Sequence, residues 1–151
     1  MALQIDILTA FPTMIEQALS YSIAGRAVKR SLVTLTAHDL RDFADDKHRT
    51  IDDTPYGGGG GMILKAEPIF KCMEEMFALA PILESDHLRH HLPAETEVIL
   101  LSPQGERFTQ KKAVALSLKT RLVFVCGHYK GVDERVRELL KQLERVAPDD
   151  P

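Results

Sequence analysis

VILLSPQGERFTQKKAVALSLKTRLVFVCG, residues 98–127, holds two short apolar runs with a helical segment between them. Val98-Ile99-Leu100-Leu101 and Leu122-Val123-Phe124-Val125-Cys126 are continuous rather than alternating, the pattern of strands buried on both faces, and the segment from Thr109 supplies a crossover. Strand, helix and strand in that order define a parallel unit with a right-handed connection. The pattern therefore predicts two central strands of an α/β sheet. In such sheets a ligand sits beyond the carboxyl ends of the strands, which directs attention to Ser102-Pro103-Gln104-Gly105 and to Gly127-His128-Tyr129-Lys130-Gly131.

Towards the amino terminus, Ile5–Thr9 reads as a first strand feeding a helix that carries Pro12 in its first turn. Met14, Ile15, Ala18, Leu19 and Ile23 recur at helical spacing, and Gly25 then interrupts the segment, so two short helices or one bent helix fit. Leu32–Ala37 is rich in β-formers and reads as another strand. Alternation of strands and helices makes the expected fold a mostly parallel sheet with flanking helices. Residues 39–61, DLRDFADDKHRTIDDTPYGGGGG, show no period and read as a long loop, a length that marks functional or disordered segments. Glu67-Pro68 opens a helix with Ile69, Phe70, Met73, Met76, Phe77 and Ala80 on one face, closed by Pro81. Residues 81–93 read as a surface connection. A last helix has Asp133 as N-cap and a stripe of Val136, Leu139, Leu140, Leu143 and Val146, stopped by Pro148. The expected organisation is one domain over 1–147 with a tail at 148–151.

At 151 residues, 44% hydrophobic and 27% charged, the chain is large enough for a single core without disulfides or a structural metal. Its net charge of −3 excludes a generally basic nucleic-acid coat and gives no reason to expect a membrane partner. Cys72 and Cys126 are too few and too far apart for a disulfide scaffold or a clustered zinc site. The start, MALQIDILTAFP, has no positive region before its apolar run, and no stretch approaches the length of a membrane span. A reducing, cytoplasmic setting is expected.

Gly105 and Gly127 each follow an apolar run, where a residue without Cβ permits close backbone approach or positive φ. Such loops suit an adenine ring between walls such as Leu100, Leu101 and Tyr129; equally, the glycines only turn the chain. Neither loop is a G-x-G-x-x-G or a P-loop. The run Gly57–Gly61 is followed by Met62-Ile63-Leu64 instead of a helix, so a hinge or lid fits better than a phosphate cradle. Arg41, Lys47, His48 and Arg49, interleaved with aspartates, read as solvated surface, with phosphate contact as the sharper option. His87, His90 and His91 have helical-type spacing but no cysteine nearby, and no metal is expected. No nucleophile elbow or H-E-x-x-H occurs. Asp133, Glu134, Arg135 and Arg137 are explained by capping and surface pairs.

Four blocks in order, IDILTAFP, DLRDFADDKHRTIDDTPYGGGGGM, LLSPQG and CGHYKGVDERV, together closely resemble the bacterial tRNA (guanine-N1) methyltransferase family. The resemblance implies a SPOUT-class α/β fold with a trefoil knot, a homodimer, S-adenosylmethionine as cofactor and guanine 37 of tRNA as substrate. It implies that Leu100, Leu101, Ser102, Pro103, Gln104 and Gly105, with Gly127, His128 and Tyr129, line the cofactor pocket. It also implies that the glycine-rich loop lies close to the site, making Gly58, Gly59, Arg49 and Lys130 candidate substrate contacts. No residue is assigned as the catalytic base. The sequence departs from the family at Lys130, where the pattern usually has glutamate. It departs again after VDERV: RELLKQLERVAPDDP stands where the family continues with the rest of the knot and a carboxy-terminal domain. The resemblance therefore implies a truncated member with little or no turnover, or a non-catalytic S-adenosylmethionine- or RNA-binding module derived from the family.

Overall fold

A computed structural model describes residues 1–79, 81–82 and 92–144. Ala80, His87, His90, His91, Val146, Pro148 and the expected 148–151 tail lie outside the described residues. The elements in chain order are β1 (Leu3–Thr9), α1 (Pro12–Leu19), α2 (Ser22–Lys29), β2 (Val33–Asp39), a 3-10 turn (Leu40–Phe43), β3 (Asp52–Asp53), β4 (Ile63–Leu64), α3 (Ala66–Phe77), β5 (Thr96–Leu101), α4 (Gln110–Ser117), β6 (Arg121–Cys126) and α5 (Glu134–Glu144). Two compact units divide them, each built from two separate stretches: residues 1–39 with 95–126, and the described residues between 40 and 94 with those from 127 onward.

In the first unit four strands form a wholly parallel sheet in the order β2-β1-β6-β5. Ile7, Leu8, Val123 and Val125 are buried, as two-sided interior strands require. The interior positions belong to β1 and β6, so the expectation of two central strands holds for β6 alone; β5 is an edge of the described sheet and its Leu101 is 51% exposed. An apolar run does not distinguish an edge from an interior position. The helix expected from Thr109 is α4, and the Thr109 hydroxyl caps it by accepting from the Lys112 amide at 3.3 Å.

Two polar residues of β1, Asp6 and Thr9, are buried in this sheet, and Asp6 carries the charge. Asp6 is 2% exposed. Gln4 lies opposite Arg121, and Leu8 opposite His38, so Arg121 and His38 flank Asp6 diagonally on the two neighbouring strands. His38 Nε2 lies 2.8 Å from Oδ1, and Arg121 Nε donates to Oδ2 at 2.8 Å. Burial alone pushes this carboxyl up, but the hydrogen bonds from His38 and Arg121, with the Arg121 charge, outweigh it and hold it below its ordinary value.

The two-helix option for residues 12–30 is the one observed, but Gly25 does not make the break. That falls at Ser20-Tyr21, while Gly25 sits buried inside α2. A Cβ there would stand 2.1 Å from the Ser20 carbonyl oxygen, so only glycine lets α2 pass this close to the end of α1. Alanine is intrinsically better in a helix by about 1 kcal/mol, yet overpacking against backbone costs more. Gly25→Ala is thus expected to destabilise the protein by about 2 kcal/mol in urea unfolding; a variant more stable than the parent would contradict the close approach.

In the second unit, the segment expected as a long loop contains short ordered elements. Leu40, in the 3-10 turn, and Ile51 are buried. Asp52 and Asp53 pair antiparallel with Leu64 and Ile63. On the other side of β4 the Lys130 amide donates to the Met62 carbonyl, Leu64 to Gly131 and Asp133 to Leu64, each at 2.9 Å, with a parallel bridge between Leu64 and Val132. β4 is therefore laced to chain on both sides, which overrides the poor strand propensity of Asp-Asp. α3 buries Ile69, Phe70, Cys72 and Met73 and ends at Phe77, with Ala78 in the left-handed region, before Pro81 is reached. α5 packs on α3 through a stripe in which Val136 is fully buried and Leu139 and Leu140 nearly so.

Candidate functional site

The loops singled out by the sequence leave adjacent strand ends. Leu101 is paired with Cys126 at the last position of the β5/β6 register, so Ser102 and Gly127 each begin one residue beyond it. Ser102–Gly105 is a tight turn closed by the Gly105 amide on the Ser102 carbonyl at 3.0 Å and by the Gln104 amide on the Ser102 hydroxyl at 3.2 Å. A Cβ on Gly105 would meet the Ser102 oxygen at 3.2 Å, so glycine serves compactness here, not positive φ. The left-handed residue is instead Tyr129, at φ 60°, its ring 4.7 Å from that of His128 in an edge-on arrangement. A bulky residue held in that region is strained, a condition that clusters at ligand sites. Cys126, between strand and loop, has its thiol pushed up by burial and is no ready nucleophile.

Of these residues, Leu100 to Gly105 belong to the first unit and Gly127 to Lys130 to the second. Within the second unit the structure brings Lys130 and the glycine loop together. Gly57, Gly58, Gly59 and Gly61 have φ between 82° and 113°, a backbone closed to other residues without strain. Lys130 Nζ donates to the Gly60 carbonyl at 3.0 Å, and the lysine stem lies against Gly61. Arg49 is engaged elsewhere, in an ion pair with Asp42 and through Nε on the Arg41 carbonyl. Lys71 likewise pairs with Asp45, so much of the charge in this region is neutralised locally.

Asp133 caps α5 by accepting from the Arg135 amide at 3.0 Å. Its carboxylate also takes Arg135 Nε at 3.1 Å and Nη2 at 2.9 Å, and Nη2 reaches Glu67 of α3 at 2.7 Å. The Arg135 side chain holds the Asp133 carboxyl below its ordinary value against the opposing effect of burial, and the two acids raise the guanidinium in turn. An acid so engaged is a clamp between helices and a weak proton acceptor. Glu67 was missed in the sequence because nothing local links it to Arg135. Among the described residues no group of three His, Cys, Asp or Glu converges as a metal holder, and no helix is long and apolar enough to cross a membrane.

Residues 3–147 match the family described as tRNA (Guanine-1)-methyltransferase TrmD. The chain belongs to this tRNA (guanine-1)-methyltransferase family. It is 48% identical over 138 residues to the tRNA (guanine-N(1)-)-methyltransferase of Geobacillus kaustophilus, covering 91% of this chain and 51% of that protein. The Bacillus subtilis protein of the same name is 44% identical, with coverage of 91% and 52%. The chain thus spans about half the length of these curated relatives. The crystal structure of the tRNA (m1G37) methyltransferase from Aquifex aeolicus superposes with a TM-score of 0.72 at 30% identity, covering all of this chain and 74% of that one. As in other members of the methyltransferase family, the parallel sheet with flanking helices is the SPOUT-like architecture. All four sequence blocks that resemble the methyltransferases lie within the matched residues.

Proposed function

We propose that residues 1–147 act as a methyltransferase domain that takes S-adenosylmethionine and directs its methyl group to N1 of guanine 37 in tRNA, in the cytoplasm and as a homodimer. The family match across both strand-end loops carries this reading. When bound, S-adenosylmethionine supplies an electrophilic sulfonium methyl. The chain's own groups fit it: Leu100 and the exposed Leu101 offer apolar wall, Gly105 keeps the Ser102–Gly105 turn compact, and Tyr129 is 39% exposed. Gly127 and His128 complete the proposed cofactor contacts, with Pro103 and Gln104 shaping the turn. Gly58, Gly59, Arg49 and Lys130 are proposed to face the tRNA. Methyl transfer also needs a base to take the guanine N1 proton and a fixed in-line geometry.

A second reading, a non-catalytic module that binds S-adenosylmethionine or RNA, is favoured by one observation: Asp133, the acid that follows the loop motif, is fully engaged by Arg135. Calorimetry with S-adenosylmethionine and with a guanine-37 tRNA transcript, alongside a methyl-transfer assay, separates the two. Binding of the cofactor is expected, weakened about tenfold, or roughly 1.4 kcal/mol, by Gly105→Val, which crowds the Ser102 carbonyl. Turnover supports the first reading and binding without turnover the second. Failure to bind either ligand overturns both.

A further inference from the structure

We infer that Lys130 is a positioning residue that fastens the five-glycine loop to the segment following β6, and so controls how freely that loop moves at the site; its bearing on methyl transfer rests on the function proposed above. Three contacts converge. The Lys130 amide is fixed on Met62 at 2.9 Å, immediately after the glycines. Its stem then runs back along the loop, with Cδ 3.3 Å and Cβ 3.6 Å from the position a Gly61 Cβ would take. Its ammonium closes on the Gly60 carbonyl at 3.0 Å. By contrast, nothing stands within 4 Å of a Cβ built at Gly57, Gly58, Gly59 or Gly60. Glycine gives up more backbone freedom on ordering than any other residue, so a loop of five is weakly held and one fastening contact shifts its equilibrium appreciably.

The chemistry is specific to this chain's residue. A lysine ammonium carries three donors on a flexible stem and satisfies a carbonyl directly. The glutamate that the resembled family pattern carries at this position is acceptor-only when ionised and has nothing to offer Gly60. The charge reversal at position 130 therefore changes how the loop is restrained as well as the local field.

Chymotryptic cleavage after Tyr56, which is 86% exposed at the start of the loop, reads its opening in the ligand-free full chain. With fragments followed by mass spectrometry, Lys130→Met and Lys130→Glu are expected to speed this single cleavage about three- to tenfold, because proteolysis tracks the open population. Lys130→Arg retains a donor and is expected to cleave at the parental rate, and none of the three is expected to shift the melting temperature, since Lys130 is exposed. Equal rates for the parent and Lys130→Met would overturn the proposal. S-adenosylmethionine calorimetry on the same samples keeps the two ideas apart. Lys130-dependent cleavage without cofactor binding would sink the proposed function and leave the fastening intact.

Discussion

Asp6→Asn is expected to lower the unfolding free energy by about 3 kcal/mol, because removing one member of a buried ion group leaves its partners uncompensated. Asp6 lies between His38 and Arg121 with its side chain 3% exposed, while those of His38 and Arg121 are 21% and 17% exposed. Asparagine keeps the shape but has no charge to offer the guanidinium. For a chain of this length the loss corresponds to roughly 6–12 °C in melting temperature. The acid side of the stability curve adds a second signature. The folded Asp6 carboxyl titrates below its unfolded value, so its contribution is complete above the unfolded pKa and disappears as pH falls through the lower, folded one. Urea unfolding of the parent should therefore weaken below about pH 4, and that part of the slope should be shallower in Asp6→Asn. Coincident unfolding curves for the two proteins at pH 7 would show that the group carries no stability.

Val136→Asp is expected to cost more, about 4 kcal/mol or greater, since it both removes apolar packing and places a short carboxylate where water is absent. Val136 is fully buried, and its helix packs on α3. Leu140→Glu, one turn further along the same stripe, has a longer stem and begins from 7% exposure. It can carry its charge toward solvent and is expected to lose about half as much. Urea midpoints at neutral pH give both values. Equal and small losses would mean that the stripe is not a packed face, and partial recovery of Val136→Asp on acidification would identify the buried charge as the cause.

Features with a strong local signal were legible in the sequence. Val123 and Val125 announce a buried strand, Asp133 is an N-cap, a helix starts beside Thr109, and the LLSPQG and CGHYKG loops each follow a strand as inferred. Illegible features depend on residues distant in the chain. Asp52-Asp53 is a strand because β4 supplies its hydrogen bonds, against its own propensity. Gly25 looks like a helix breaker and is in fact a helix residue under the Ser20 carbonyl. The left-handed conformation expected of a glycine in the strand-end loops is carried by Tyr129, which no composition rule anticipates. Lys130 and Gly60 lie 70 positions apart, and only the pairing of Met62–Leu64 with residues 130–133 joins them.

Because β1 is paired with β6, the first unit holds contacts such as Arg121 with Asp6, 115 positions apart. A ribosome adding about 5–20 residues per second delivers Arg121 on the order of ten seconds after Asp6. Throughout that interval the nascent β1 lacks a strand on one side, and its apolar surface is offered to other chains. Nascent chains halted before residue 121 should consequently be strong clients for holdase chaperones, and release from them should coincide with the emergence of Arg121–Cys126, when the sheet's interior is first complete.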